Sequence, residues 1–288
     1  MSNDKTPVED RAQNRAFFPS EYSLGQYVPP TSDYDGAEHD PITGGPRRIL
    51  VIGTDERYLP LQGDVFFSTG NHPVEMFVPM LHLAAAGYSF DIATVSGNMV
   101  KLEEWAFPGE DEAIRGAFET HRAQLDRPAK LSDITSRLTA DSDYAGVFIP
   151  GGHGATVGGI PTSPDVKAAL EWALDNDRFI ITLCHGPAAL LAATKDDGTS
   201  RFAGYEVCVF PDALDTGANE EIGYIPAPMT WLVAAELDKQ GVKVLNEDMT
   251  GMVHRDRLLL TGDSPLASNA LGHLAVDALR GAYSSEQA

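Results

Sequence analysis

Cys184 and His185 put a nucleophile and an acid–base group side by side where the backbone has to turn sharply. Residues 179–183, Phe-Ile-Ile-Thr-Leu, are bulky and mostly β-prone, as in a buried strand. Gly186 allows a tight turn. Pro187 suits the first turn of a helix, where its missing N–H has no intrahelical partner to lose. Residues 188–193, Ala-Ala-Leu-Leu-Ala-Ala, continue as a good helix former. The thiol is thus expected at a strand-to-helix elbow, without the Gly-x-Ser-x-Gly pattern. A helix N-terminus there favours the thiolate, which is the reactive form. A free cysteine also serves as a small hydrophobe at a strand end, and the position fits that reading too.

Partners for the thiol come from three other segments. Adjacent side chains on a regular helix do not face each other, so His185 reaches the thiol only if the elbow is sharp; otherwise it is structural. An acidic group would orient its ring. Asp212 and Asp215 follow the next strand, and either also suits a turn. The loop from Gly151 to Gly159 lacks the Gly-Lys-Ser/Thr of a nucleotide-binding P-loop. Its backbone N–H groups could stabilise an oxyanion beside the thiol, with a plain tight turn as the other reading. Glu75 stands in the first turn of a helix opened by Pro73. A carboxyl group there is a favourable first-turn charge or, beside a thiol, a proton carrier.

Strands and helices alternate so as to bring these segments together. Strands are expected at 49–52, 90–95, 146–150, 179–183, 207–210, 242–245 and 258–260. Helices are expected at 73–86, after Ser163-Pro164, after a Thr230 cap and after Ser264-Pro265. This rhythm predicts an α/β fold, a mostly parallel sheet with helices on both faces. In such sheets, sites form beyond the carboxyl ends of strands. Gly151–Gly154, Cys184-His185, Phe210-Pro211-Asp212 and Gly262-Asp263-Ser264 all fall at such ends. Residues 1–46 read as an irregular N-terminal extension packing on the core. Residues 47–97 and 141–288 form the core, and 98–140 an inserted cap.

Composition narrows the function class. The chain has 288 residues, 21 basic and 42 acidic, for a net charge of −21. That charge disfavours binding to nucleic acid or anionic lipid. Two cysteines do not make a secreted disulfide framework, and Cys208, in an alternating stretch, is expected to be buried and inert. The first fifteen residues are polar and charged, unlike a signal peptide, and no run is apolar enough to span a membrane. The expected location is the cytoplasm.

The residues also carry a family resemblance. Val147-Phe148-Ile149-Pro150-Gly151-Gly152-His153-Gly154 and Leu183-Cys184-His185-Gly186-Pro187 resemble the ThiJ/PfpI superfamily. Residues 16–24, 68–73, 221–224, 261–265 and 270–272 narrow it to the bacterial heat-shock protein thirty-one family, HchA. That resemblance runs nearly end to end. It implies a flavodoxin-like core with a smaller cap, a homodimer, and glyoxalase III activity that converts methylglyoxal to lactate without glutathione. It also implies protein deglycase activity and a stress-induced holding-chaperone role. Carried over by position, the triad is Cys184, His185 and Asp215, with Glu75 as the acid–base carboxyl. Some members bind zinc through two histidines and a glutamate. Here one histidine position holds Ala84 and the glutamate position holds Ser89, leaving His121 alone. A single imidazole is not a zinc site, so neither metal nor cofactor is expected by that route.

Together these features predict a cysteine enzyme for small 2-oxoaldehydes, with the oxyanion held by backbone N–H groups of Gly152 and His185. One rival is a chaperone that holds unfolded or glycated proteins in an apolar groove. Another is a cysteine amidase or peptidase using the same triad.

Overall fold

The strand Arg48–Gly53 (β1) sends Ile49 and Val51 into one hydrophobic cluster and Leu50 and Ile52 into another. This is the two-sided burial of a central parallel strand. The computed structural model describes residues 3–36, 38–195 and 197–284. The other strands of the main sheet are β2 (Ser89–Thr94), β3 (Ala129–Lys130), β4 (Tyr144–Ile149), β5 (Phe179–Leu183), β6 (Val253–Asp256) and β7 (Leu259–Gly262). Their order is β6-β7-β5-β4-β1-β2-β3. Only the β6–β7 pair is antiparallel.

The α-helices of five residues or more are α1 (Glu21–Tyr27), α2 (Pro73–Ala85), α3 (Glu112–Asp126), α4 (Leu131–Thr135), α5 (Pro164–Asp175), α6 (Val233–Lys239) and α7 (Ser268–Tyr283). The apolar sides of α2, α3 and α7 pack on one face of the sheet. Those of α4, α5 and α6 pack on the other. The expected α/β sandwich is present. Ser163 caps α5 as the sequence suggests, its Oγ accepting from the N–H groups of Asp165 and Val166.

Several local expectations give way to longer-range packing. Glu206–Val207 and Lys243–Val244 pair with each other in a separate two-stranded parallel sheet, outside the main one. The helix between them starts at Val233, not directly after Thr230. Its free N–H groups at Ala234 and Ala235 are capped by the Asp212 carboxylate at 3.0 and 2.8 Å. The segment after Pro187 is a short 3₁₀ turn, Gly186–Ala192, rather than an α-helix.

The small layer also differs from the expected cap. Residues 98–140 supply α3, α4 and β3, which extends the edge of the main sheet beside β2. Phe118 of α3 packs edge-on to Phe77 of α2. A four-stranded sheet is built instead from Val8–Glu9, Ala16–Phe18, Tyr58–Leu61 and Val65–Ser68. The extension is thus woven together with a hairpin that follows β1. Leu59, Leu61 and Phe67 from this sheet bury against Tyr224, Ile225 and Met229. The layer therefore sits over the carboxyl ends of the strands.

Candidate active site

Cys184 follows β5 with φ of 58°, a left-handed conformation that strains a residue with a Cβ. Its N–H donates to the Gly262 carbonyl and its carbonyl accepts from the Phe210 N–H, each at 2.9 Å, so two neighbouring segments hold the bend. Gly186 is needed for the return path. A Cβ there would lie 2.3 Å from Thr182 Oγ1 and 2.6 Å from the Ile149 carbonyl oxygen.

The sharp bend brings adjacent side chains together. Cys184 Sγ lies 3.2 Å from His185 Nδ1. His185 Nε2 donates to Asp215 Oδ2 at 2.7 Å. Asp215 Oδ1 accepts from His153 Nε2 at 3.0 Å and from Asn219 Nδ2 at 2.8 Å. Asn219 Oδ1 in turn accepts from the Tyr27 hydroxyl of α1 at 3.0 Å. The His185 ring is clamped between Phe210, stacked at 4.6 Å, and His153, with ring centroids 3.9 Å apart.

These contacts set the charges. Burial disfavours ionised Asp215, but His153 and His185 outweigh it and hold the carboxyl well below the usual range. Burial also disfavours a charged His153, yet Asp215 and Glu103 raise it above an ordinary imidazole. His185 goes the other way. Burial first, then the neighbouring His153, lower it to about 4. His185 is therefore a neutral base at physiological pH. Its Nε2–H is committed to Asp215, and its Nδ1 lone pair faces the thiol.

Glu75 lies in the first turn of α2, fully buried. Neither carboxyl oxygen has a hydrogen-bond partner of ordinary geometry. The group lies against the Cys184 thiol and the Gly152 N–H, and burial pushes it well above the usual carboxylate range. Burial first, then the adjoining Glu75 carboxyl, likewise push the Cys184 thiol up. The sequence argument for a thiolate made by a helix N-terminus is corrected here. Desolvation outweighs the short 3₁₀ turn, so both groups hold their protons at rest. The thiolate must form as His185 takes the proton.

Gly152 has φ of 90°, and a Cβ there would lie 2.5 Å from both the Gly70 carbonyl oxygen and the His72 nitrogen. Only glycine brings that N–H so close to the thiol. The Gly70–Pro73 segment is fixed by Asn71, whose Oδ1 accepts from Thr54 N–H at 2.9 Å. Of the two candidate aspartates, Asp215 reaches the histidine and Asp212 caps α6. Cys208 is buried elsewhere, its N–H on Thr261 Oγ1, with burial pushing its thiol up to about 11. Asp263 gathers the N–H groups of Thr250, Gly251 and Met252 and so shapes a loop.

Sequence reasoning passed over four participants. His153 was read only as part of a glycine loop, though its place at a strand end was a usable signal. Glu103, Asn219 and Tyr27 had no local mark. Glu103 is buried, accepts from Thr69 Oγ1 at 2.7 Å, and is raised by burial to about 7.

An apolar cavity of about 310 Å³ adjoins the triad, lined by Tyr27, His72, Trp105, Phe210, Tyr224 and Leu266, among others. The residues do not fit the zinc site of some family members. Ala84 and Ser89 are exposed and offer no imidazole or carboxylate, while the His121 ring packs edge-on against Phe90. Among the described residues, no helix is long and apolar enough to cross a membrane.

No protein-family model matches the chain. A search of solved structures finds the fold in the Rapid Encystment Protein 24 kDa of Francisella tularensis, at TM-score 0.68 and 16% identity, covering 81% of this chain and 99% of that one. It finds it again in glyoxalase III (Orf 19.251) of Candida albicans, at TM-score 0.64 and 18% identity, covering 81% and 97%. Curated relatives are much nearer in sequence. "Protein/nucleic acid deglycase HchA" of Pseudomonas aeruginosa (strain UCBPP-PA14) is 56% identical over 290 residues, covering 98% of this chain and 99% of its own. The protein of the same name from Staphylococcus aureus (strain MSSA476) is 55% identical over 284 residues, covering 98% and 97%. With identity this high over nearly the whole of both chains, and with a cysteine–histidine–aspartate constellation at the strand ends, the chain belongs to the HchA protein/nucleic acid deglycase family.

Proposed function

We propose that the chain is a cofactor-independent enzyme for 2-oxoaldehydes, a glyoxalase III that converts methylglyoxal to lactate and also acts as a protein deglycase. One observation carries the reading. A buried thiol lies 3.2 Å from the free nitrogen of a neutral histidine, beside a carboxyl group that burial keeps protonated. As sulfur adds to the aldehyde carbon, the thiol proton passes to His185 Nδ1. The developing oxyanion takes the N–H groups of Gly152 and His185 and the proton of Glu75, giving a hemithioacetal. Removal of the aldehyde-derived hydrogen from carbon 1 and its return to carbon 2, through an enediolate, leave a lactoyl thioester. Water then adds to the thioester, releasing lactate and restoring the thiol. Asp215 keeps His185 in the required tautomer, as the third group of a triad does.

The cavity supports the deglycase arm, because about 310 Å³ exceeds what a three-carbon aldehyde fills and leaves room for an adducted side chain. The direct test is lactate formation from methylglyoxal by the wild type and by Cys184→Ala, with release from a methylglyoxal-modified peptide measured in parallel.

A holding-chaperone role is the second reading. Leu266 at the cavity rim is 52% exposed and Met252, on a neighbouring loop, 36%, giving an apolar entrance that suits unfolded or glycated chains. We infer further, from the family resemblance, a homodimer acting in the cytoplasm.

A further inference from the structure

Three histidines from distant segments meet where the extension, α2 and α7 come together. They are His39 of the extension, His82 of α2 and His273 of α7. One ligand atom from each lies within 4.8 Å of the others. His39 Nε2 is 2.9 Å from His82 Nδ1. His121, the histidine left from the family pattern, is not among them.

The surroundings are arranged to present nitrogen lone pairs. Asn269 Nδ2 donates to Asp35 Oδ2 at 3.3 Å, which makes its Oδ1 the acceptor for His82 Nε2–H at 2.8 Å. His82 Nδ1 therefore carries the lone pair, and it points at His39. A ligating imidazole that donates its other N–H to a side-chain oxygen is the usual support for a metal. His273 Nε2 makes the same kind of contact, donating to Asp35 Oδ2 at 2.8 Å. His82 is fully buried, and a Cβ at Gly272 would lie 2.3 Å from its ring, so α7 keeps a glycine where the imidazole must pass. The nearby Arg280 donates to the Asp40 carbonyl at 2.9 Å.

We propose that His39, His82 and His273 form a site for a borderline divalent metal of the zinc type, with the Asp35 carboxylate beside it, that clamps the N-terminal extension to α2 and α7. Three imidazoles and a nearby carboxylate suit zinc, cobalt or nickel and not the hard ions calcium or magnesium. The ion enters by replacing the His39–His82 hydrogen bond. Two nitrogens on one tetrahedral ion stand roughly 3.3 Å apart, so the 2.9 Å pair needs to open by only a few tenths of an ångström. His39 must at the same time carry its proton on Nδ1. The clamp bears on the catalytic centre through α2, which holds Glu75 in its first turn.

The test is calorimetric titration of chelator-treated full chain with zinc chloride, alongside His39→Ala and His273→Ala. Both substituted residues lie outside the triad and at least partly open to solvent. The expected result is one ion per chain with micromolar or tighter affinity, a higher melting temperature with zinc, and affinity weakened at least about tenfold in each variant. Cobalt absorption of the unsubstituted chain reads the ligands without any mutation. Visible bands of nitrogen ligation without a thiolate charge-transfer band assign the ion to this cluster and not to Cys184. Absence of zinc uptake, a thiolate band, or either variant binding zinc as the wild type does would overturn the proposal.

Discussion

His153 and His185 lie with ring centroids 3.9 Å apart, and each donates to a different oxygen of the same carboxylate, Asp215. One anion cannot fully charge two adjacent imidazoles in a buried site. His153, which also faces Glu103, takes the higher affinity for a proton, and its presence keeps His185 neutral. The second histidine thus protects the base function of the first.

The acid limb of kcat/KM should accordingly follow His185 and fall near pH 4, not near the ordinary imidazole value of 6.5. His153→Gln removes the neighbouring cation, so protonation of His185 becomes easier and the limb moves upward. Rate profiles from pH 3.5 to 8 for the two proteins read that shift.

Cys184→Ala should lower lactate formation by roughly three orders of magnitude or more, since no other group replaces the nucleophile. Cys208→Ala, at a thiol outside the constellation, should leave turnover near wild type. Both rates come from one continuous assay of methylglyoxal loss and lactate gain.

Glu75→Gln keeps the side-chain shape and removes the exchangeable proton. Turnover should fall by roughly a hundredfold or more, the usual loss for a missing acid–base group. Because the carboxyl is buried with no ordinary hydrogen-bond partner, the melting temperature should hold or rise. Client holding measured on the same preparation should be nearly unchanged.

Glu103 makes stability depend on pH in a defined window. Its proton leaves at about 7 in the fold, against 4.5 for an unperturbed glutamate. The folded state binds the extra proton between those values, so this contribution is complete below pH 4.5 and is lost as pH rises through 7. The loss is about 3 kcal/mol at full titration. Glu103→Gln should abolish it. Urea unfolding of both proteins at pH 5 and pH 8 isolates the term as a difference of differences.

Asp215→Asn should stop turnover by leaving His185 without its anion, whereas Asp212→Ala should cost about 1 kcal/mol of stability as a lost helix cap. Turnover of Asp212→Ala should stay close to wild type. Kinetics and thermal melts of the two variants separate the roles.

The parts of the site visible in the sequence were those marked by a local junction. Cys184 and His185 stood between a β-prone run and a Gly-Pro turn, and Glu75 stood just inside a Pro-opened helix. Local pattern did not tell Asp212 from Asp215, because the choice depends on where α6 and Asn219 pack, and neither is local; only the family resemblance singled out Asp215. The thiol was given the wrong protonation because desolvation depends on the whole fold, whereas a helix N-terminus can be read from a few residues. The strands β1, β2, β4, β5 and β7 of the main sheet were legible because they are largely buried, whereas the exposed edge strands β3 and β6 were not. The small sheet was not, since Ala16–Phe18 pairs with Val65–Ser68, and no local period records a pairing across so long a stretch of chain. Charged α3 looked like an insertion because its outer face meets water while Ile114, Ala117 and Leu125 face inward.

The Tyr27–Asn219 hydrogen bond spans 192 positions, and Ser20 Oγ donates to the Ile222 carbonyl across 202. A chain emerging from the ribosome makes the extension about two hundred residues before its partners. The extension must wait, unsatisfied, through most of synthesis, and loops this long close late because their entropy is lost before any contact repays it. Asn219, which steadies Asp215, is secured only when that closure occurs. Helical and sheet signals should therefore recover before catalytic competence on refolding. A protease present in that interval would find residues 20–27 open, and a cut there would leave a well-folded core with a poorly held triad.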